Sequence, residues 1–216
     1  MKNIVCLVSG RGSNLEAILR AEREQQWGAQ LGARICAVIS NRADARALAI
    51  ASDHGVQAQV LAHGEFPSRE AFDAALAALI DRHEPVLVVL AGFLRVLTPA
   101  FAARYQGRLI NIHPSLLPAF AGLHTHQRAI ESGVRVHGTT VHFVTGELDA
   151  GPIIAQAALA MRPGEPESAL AARVLALEHE LLPRCIRWIL EGKVCLEGRR
   201  VVASGFDPAL LLRVAS

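Results

Sequence analysis

The chain has 216 residues, 51% of them hydrophobic and 19% charged, so it can bury a full core and is not a disordered protein. Its 22 Lys and Arg nearly balance 20 Asp and Glu, and no long basic run occurs, so neither nucleic acid nor an anionic membrane is expected as a partner. The segment after Met1 has no signal-type apolar region, and no apolar stretch could span a bilayer, so we expect a cytoplasmic protein without a membrane anchor.

Strands and helices alternate through the first half of the chain. The predicted strands cover residues 3–9, 33–40, 56–61 and 86–90. The predicted helices run from Leu15 to near Trp27, from Asp44 to His54, and from the N-cap Ser68 to a point before Pro85. A further short helix is predicted to start after the cap Thr98, with Pro99 as its first residue. This alternation predicts a parallel, right-handed, doubly wound sheet.

A glycine turn follows the first strand and leads into the first helix, with Gly10, Gly12, Ser13 and Asn14 in it. Free amides at a helix start, its positive dipole end and a hydroxyl together make a cradle for a phosphate. The turn lacks both G-x-G-x-x-G and a P-loop, so a small phosphomonoester fits better than a dinucleotide or a triphosphate. A plain tight turn before a helix is the alternative.

The segment 109–118 is the most informative stretch of the sequence. Alternating apolar residues predict a short strand, and Pro114 and Pro118 prevent its continuation. Asn111 and His113 share a face at the carboxyl end of this strand, where open α/β sheets bind ligands. An amide beside an imidazole can hold an oxyanion and move a proton. Alternatively, both are polar strand-end residues that hydrogen-bond to backbone.

The second half of the chain has a different pattern. A helix from His124 to about Ser132 precedes two predicted strands, 138–144 and 152–156, and their hairpin-like return makes the sheet mixed. A long helix over 167–191 and a small exposed hairpin over 193–202 follow. We therefore predict a Rossmann-like fold whose mostly parallel, twisted sheet becomes mixed in its second half, without a linker between domains.

Three further features could carry chemistry. Asp149 lies in the loop between the two strands of the hairpin, where a carboxylate near His113 would favour the imidazolium and fix its orientation, although such an Asp is often only a turn former. Five histidines within thirty positions raise the alternative of zinc, but no H-E-x-x-H occurs and the four cysteines have no C-x-x-C spacing, so we predict no metal and free thiols. Glu178 in the long helix could bind a substrate amine or face water.

Taken together, the motifs resemble the phosphoribosylglycinamide formyltransferase family. The resemblance rests on S-G-R-G-S-N-L at 9–15, L-A-G-F-L-R at 90–95, N-I-H-P-S-L-L-P at 111–118, G-L-H-T-H at 122–126, H-G-T at 137–139 and L-D-A-G-P-I at 148–153. It covers the chain to about Trp188. One departure is Ala121, where the family usually has proline; this change could loosen the loop but removes no reacting group.

The resemblance implies a folate-dependent formyltransferase of purine synthesis that uses 10-formyltetrahydrofolate as cosubstrate and glycinamide ribonucleotide as formyl acceptor. By this analogy Asn111, His113 and Asp149 are catalytic. The ribonucleotide would contact Gly12, Ser13, Asn14 and Glu178. The folate would contact Arg69, Leu94, Arg95, Val96, Leu97 and Asn111. His124 and His142 are expected around the reacting groups.

The same resemblance implies one formyltransferase domain over 1–216, with a nucleotide-phosphate half over about 1–105, a folate and catalytic half over about 106–192 and a small tail over 193–216. We expect a monomer or weak homodimer. The closest rival enzyme is 10-formyltetrahydrofolate hydrolase, which sends the formyl group to water. A transfer-RNA formyltransferase is disfavoured because no basic carboxyl-terminal domain is present, and a non-catalytic folate- or nucleotide-binding module is the alternative of another class.

Overall fold

The computed structural model describes residues 1–205 and 212–215. The chain divides into two units, Met1–Asn111 and Ile112–Ser216. The boundary lies within the strand Leu109–His113 (β5), immediately after Asn111.

The first unit is a parallel sheet with helices between its strands. Its strands are β1 (Lys2–Val8), β2 (Ala33–Ser40), β3 (Gln57–Val60), β4 (Pro85–Leu90) and the beginning of β5 (Leu109–His113). Its helices are α1 (Ser13–Glu24), α2 (Trp27–Leu31), α3 (Arg46–Asp53), α4 (Arg69–Asp81) and α5 (Pro99–Arg104). The strand order is β5-β4-β1-β2-β3, and every pair is parallel, which confirms the predicted doubly wound pattern.

The core of the first unit lies around β1. The apolar run Ile4–Val8 is fully buried, as expected for a central parallel strand that is covered on both faces. The predicted helix starts are also confirmed: the Ser68 hydroxyl accepts from the Ala71 N–H at the start of α4, and the Thr98 hydroxyl accepts from the Phe101 N–H at the start of α5. These caps fix where the loops before α4 and α5 end.

Two predicted helix bounds in this unit are wrong. Helix α1 ends at Glu24, because Gln26 has a left-handed backbone (φ 50°) that no helix continues through, and the fully buried Trp27 starts the separate helix α2. Helix α3 begins at Arg46 rather than Asp44, because Ala45 has an extended backbone (ψ 118°) and is the N-cap residue.

The second unit contains the mixed part of the sheet. Its elements are the end of β5, α6 (Thr125–Glu131), β6 (Val136–Phe143), β7 (Ile153–Ala160), α7 (Glu167–Leu190), β8 (Val194–Glu197), β9 (Arg200–Ala203) and β10 (Leu212–Ala215). The strand order is β5-β6-β7-β10, with β6 and β7 antiparallel and β10 parallel to β7. The predicted change from a parallel to a mixed sheet is therefore confirmed.

The carboxyl-terminal region is only partly as predicted. The hairpin of β8 and β9 is present. Strand β10 was not predicted: Leu212 pairs with Gln156, and the strand extends the sheet beyond β7. A four-residue strand is hard to recognise locally, because its formation depends on a partner far away in the sequence. Within residues 1–205 and 212–215, no helix combines the length and the apolar character that crossing a membrane requires.

Candidate active site

Strand β5 ends at His113, directly before Pro114. The carbonyl oxygen of His113 accepts hydrogen bonds from the Ser115 N–H (2.9 Å) and from the Thr139 hydroxyl on β6 (2.9 Å). His113 is only 6% exposed. Two hydrogen bonds within the second unit therefore fix the backbone of His113, and burial restricts the movement of its ring.

Both ring nitrogens of His113 face oxygen atoms. Nδ1 lies 3.4 Å from Oδ2 of Asp149, and Nε2 lies 3.0 Å from the carbonyl oxygen of Phe120. A carboxylate and a carbonyl oxygen can only accept hydrogen bonds, so an imidazolium, which carries a proton on each nitrogen, can donate to both. The predicted approach of Asp149 to His113 is thus present in this unit.

The Asp149 carboxylate is itself held by its surroundings. Oδ2 accepts a hydrogen bond from the Gly122 N–H (2.9 Å), and the side chain is 8% exposed. Asp149 has a left-handed backbone (φ 51°), and Gly151 follows in a place where an added Cβ would overlap the Phe143 carbonyl oxygen. The loop between β6 and β7 can take this path only because residue 151 has no side chain.

His142 lies on the other side of the same carboxylate. Its Nε2 is 3.9 Å from Oδ1 of Asp149, its Nδ1 is 3.0 Å from the Phe143 carbonyl oxygen, and the residue is 2% exposed. Burial lowers the pKa of His142, against the opposing effects of the Phe143 carbonyl and of Asp149. His142 is therefore a buried neighbour of Asp149, whereas His124 is exposed at the start of α6.

The remaining histidines of this region contact each other. Nδ1 of His126 lies 3.2 Å from Nε2 of His137, and the Phe120 ring packs edge-on against His137 at a centroid distance of 6.0 Å. Burial is the main cause that lowers the pKa of both histidines. Across the described ranges 1–205 and 212–215, no three His, Cys, Asp or Glu side chains are grouped so as to hold a metal ion.

The glycine turn of the first unit forms the start of α1. Gly12 is the N-cap residue with φ 80°, and an added Cβ would come within 2.7 Å of the Ala47 Cα, so only glycine fits there. Ser13 is the first helical residue, and Asn14 is 8% exposed. The N–H groups of a first helical turn have no partners within the helix, and they point out of its N-terminus, which is the positive end of the helix dipole. This geometry is suited to an anion.

The residues predicted to contact folate, apart from Asn111, lie in loops and helix starts of the first unit. Arg69 is exposed at the beginning of α4. Residues 94–97 have no regular secondary structure, and Leu94 and Val96 are 78% and 47% exposed. Arg95 lies with its guanidinium carbon 4.6 Å from the centre of the Phe72 ring. The segment therefore presents two apolar side chains outward.

Asn111 and Glu178 complete the predicted set. Asn111 pairs in register with Leu90 of β4, is partly exposed, and precedes His113 by two residues, so both side chains belong to one face of β5. Glu178 is 7% exposed in the middle of α7. The structure brings His113 and Asp149 into contact in the second unit, while Gly12, Ser13, Asn14, Arg69 and residues 94–97 belong to the first.

Several contacts of the site were not predicted from the sequence. The backbone groups of Phe120 and Gly122 reach His113 and Asp149, although only the glycine carries any local signal. In the first unit, Ser9 and Asp73 bind the two ends of the segment around residues 94–97. Ser9 was singled out only as the first residue of the glycine-turn motif, and Asp73 is a single polar residue in an apolar stretch of α4.

Comparison with known proteins identifies the relatives of this chain. The family model described as formyl transferase matches residues 2–186. The chain is 46% identical to phosphoribosylglycinamide formyltransferase of Escherichia coli (strain K12), over 94% of this chain and 98% of that protein. It is also 41% identical, over 88% of its length, to a part that makes up 14% of the trifunctional purine biosynthetic protein adenosine-3 of Drosophila pseudoobscura pseudoobscura.

A solved structure gives the same result at the level of the fold. The phosphoribosylglycinamide formyltransferase of Coxiella burnetii in complex with CHES has a TM-score of 0.89 and 44% identity, covering 99% of this chain and 98% of that chain. Family model, sequence and fold agree over most of the chain: it belongs to the formyl transferase family.

Proposed function

We propose that this formyltransferase moves the formyl group of 10-formyltetrahydrofolate to the primary amine of glycinamide ribonucleotide. The names and high coverage of its relatives support formyl transfer to this acceptor, and the folate donor is what the resemblance of the motifs to that family implies. The observation that carries the proposal is the buried contact between His113 and Asp149, because transfer to an amine needs a group that can both stabilise an oxyanion and exchange protons.

The proposed chemistry is a direct transfer. The amine nitrogen attacks the formyl carbon, a C–N bond forms, and the carbonyl oxygen becomes the oxyanion of a tetrahedral intermediate. The Asn111 amide and the His113 imidazolium donate hydrogen bonds to this oxygen. Asp149 holds Nδ1 of His113, so Nε2 donates to the reacting oxygen in place of the Phe120 carbonyl oxygen that accepts from it in this structure.

Collapse of the intermediate completes the reaction. The bond between the formyl carbon and N10 of the folate breaks, and the proton lost by the attacking amine is delivered to N10. Asp149 supports this transfer by keeping a negative charge beside His113 and by ordering the water through which the proton leaves. No serine or cysteine of the sequence lies in a nucleophile motif such as G-x-S-x-G, which supports direct transfer without a covalent enzyme intermediate.

The two substrates are assigned to the residues predicted for them. The phosphate of the ribonucleotide binds at Gly12, Ser13 and Asn14, supported by the start of α1, which has no side-chain cap, and by the left-handed glycine that precedes it. Glu178 binds the amine or ribose side of the ribonucleotide. The folate contacts Arg69, the exposed segment 94–97 and Asn111. We propose that the chain functions as a single formyltransferase domain, and its cytoplasmic location and its state as a monomer or weak homodimer stay predictions.

The test is a spectroscopic assay of deformylated folate with and without glycinamide ribonucleotide. Transfer predicts that the folate product appears only when the ribonucleotide is present, together with one equivalent of formylated ribonucleotide. Product that appears at the same rate without the ribonucleotide would instead identify a 10-formyltetrahydrofolate hydrolase. No product under either condition would identify a non-catalytic binding module and overturn the proposal.

A further inference from the structure

The segment 94–97 is fixed at both of its ends by buried side chains. At its beginning, the Leu94 N–H donates to the Ser9 hydroxyl oxygen (2.8 Å). At its end, the Thr98 N–H donates to Oδ2 of Asp73 (2.6 Å). Ser9 and Asp73 are 4% and 3% exposed, whereas Leu94 between them is 78% exposed. An irregular, solvent-facing segment is thus held by two anchors from the interior of the first unit.

The direction of the Ser9 anchor is determined by a second contact. The Ser9 hydroxyl donates its single proton to Oδ1 of Asn41 (2.7 Å), so towards Leu94 it can only accept. The Ser9 backbone N–H also donates to the Gly92 carbonyl oxygen (3.1 Å). Ser9 therefore holds the chain at Gly92 and again at Leu94, next to the glycine turn that follows it in sequence.

Asp73 accepts a hydrogen bond from the Thr98 N–H, which has no acceptor within helix α5. Thr98 is the N-cap of α5, and its own hydroxyl accepts from the Phe101 N–H (3.2 Å). The Thr98 N–H lies before the helix and has no acceptor within it. Asp73 supplies this acceptor from α4, and its neighbour Phe72 supports the Arg95 guanidinium at 4.6 Å.

A carboxyl group at position 73 is costly for the fold alone. The other buried residues of α4 are apolar: Phe72, Leu76, Ala77 and Ile80. Oδ1 of Asp73 is fully buried and has no hydrogen-bond partner in the part of the chain that the structure describes. Burying a carboxyl group that is only half satisfied costs free energy, and an apolar residue of similar size would fill the same space without that cost.

We propose that Asp73, together with Ser9, is a positioning residue that holds the segment 94–97 in the conformation that binds the folate cosubstrate. The inference rests on the proposed function, since it assumes that this segment contacts folate. Neither residue touches the reacting atoms. Loss of an anchor should weaken folate binding because the segment must then be ordered during binding, which costs conformational entropy.

Steady-state kinetics on three variants of the full chain test the proposal. Asp73→Ala should raise KM for 10-formyltetrahydrofolate by about tenfold, the size expected for the loss of one hydrogen bond to a charged acceptor, with KM for the ribonucleotide unchanged. Asp73→Asn keeps an oxygen that can accept from Thr98 and should restore most of the loss. Ser9→Ala should raise the same KM, and it serves as the independent test if Asp73→Ala does not fold.

Asp81→Asn is the matched control for a purely structural effect. Asp81 lies on the same helix and also joins α4 to α5, through the Tyr105 hydroxyl (2.8 Å) and through Arg104. The Asp81→Asn variant should therefore have a lower thermal midpoint and an unchanged KM for the folate. Equal folate KM values for the wild type, Asp73→Ala and Ser9→Ala would overturn the inference. A wild type without folate-dependent turnover would instead overturn the proposed function, so the two failures are distinguishable.

Discussion

Nδ1 of His113 lies 3.4 Å from Oδ2 of Asp149, and both side chains are only 8% exposed. At this degree of burial little water reaches the contact, so the carboxylate restricts the orientation of the imidazole. In the proposed mechanism this contact keeps a proton donor beside the reacting oxygen.

Asp149→Asn and His113→Ala should each lower kcat by about 10²–10⁴-fold, the range associated with the loss of acid–base and oxyanion groups, with modest change in ribonucleotide binding. Single-turnover kinetics and equilibrium titration with the ribonucleotide would separate the two effects. Asp44→Asn is the control, because Asp44 forms only an exposed ion pair with Arg42. Near-normal rates in both site variants would show that the assigned roles are wrong.

Ser13→Ala should chiefly raise KM for glycinamide ribonucleotide, by about tenfold. The substitution removes a hydroxyl that binds the phosphate at the start of α1, and it leaves the reacting groups unchanged. The comparison is with Ser52→Ala, since the Ser52 hydroxyl donates only to the Leu48 carbonyl oxygen within α3. Initial rates at varied ribonucleotide and saturating folate give the two constants. An unchanged KM for the ribonucleotide in Ser13→Ala would argue against a phosphate contact at this hydroxyl.

Gly151→Ala should displace the loop that carries Asp149. The new methyl group would overlap the Phe143 carbonyl oxygen, so the loop or the end of β6 must move. We expect a lower thermal midpoint and a loss of kcat of at least about tenfold, because the geometry of catalytic groups tolerates little displacement. Gly64→Ala has open space around the added methyl and should behave as wild type. Wild-type activity in Gly151→Ala would mean that this loop accommodates a side chain without moving Asp149.

The paired histidines His126 and His137 predict a pH dependence of stability. Burial, with a smaller effect of the nearby His126 and His113, lowers the pKa of His137 to about 4, against about 6.5 in an unfolded chain. The unfolded state therefore binds this proton more readily. The contribution of neutral His137 to the free energy of unfolding is fully present above about pH 6.5 and is lost as the pH falls towards 4, about 3 kcal/mol in total.

Urea unfolding at pH values between 7.5 and 4.5 measures how the free energy of unfolding depends on His137. His137→Gln keeps a polar group beside His126 and should flatten the decline in the free energy of unfolding at acidic pH. His54→Gln, an exposed position after α3, should leave the decline unchanged. An identical decline in His137→Gln and wild type would show that His137 does not contribute to it.

Much of the fold could be predicted from the sequence, because local signals suffice for most elements. The hydroxyls of Ser68 and Thr98 mark the helix starts where the structure has them, and Pro114 ends β5 directly after His113. The local rules fail where a single residue adopts an unusual backbone, as at Gln26, and where a short strand depends on a distant partner, as β10 depends on β7. Neither feature has a local signal of its own.

For the site, the sequence by itself determined which groups are available: the glycine turn, the alternation that gives Asn111 and His113 one face, and the Asp149 loop. Only the tertiary structure decided that Asp149 approaches His113, that the Phe120 carbonyl and Gly122 amide complete this contact, and that Ser9 and Asp73 hold the segment 94–97. The physical reason is that periodicity and caps act within one element. A contact between loops depends on how strands pair and where glycine permits close approach, and neither is determined by neighbouring residues in the sequence.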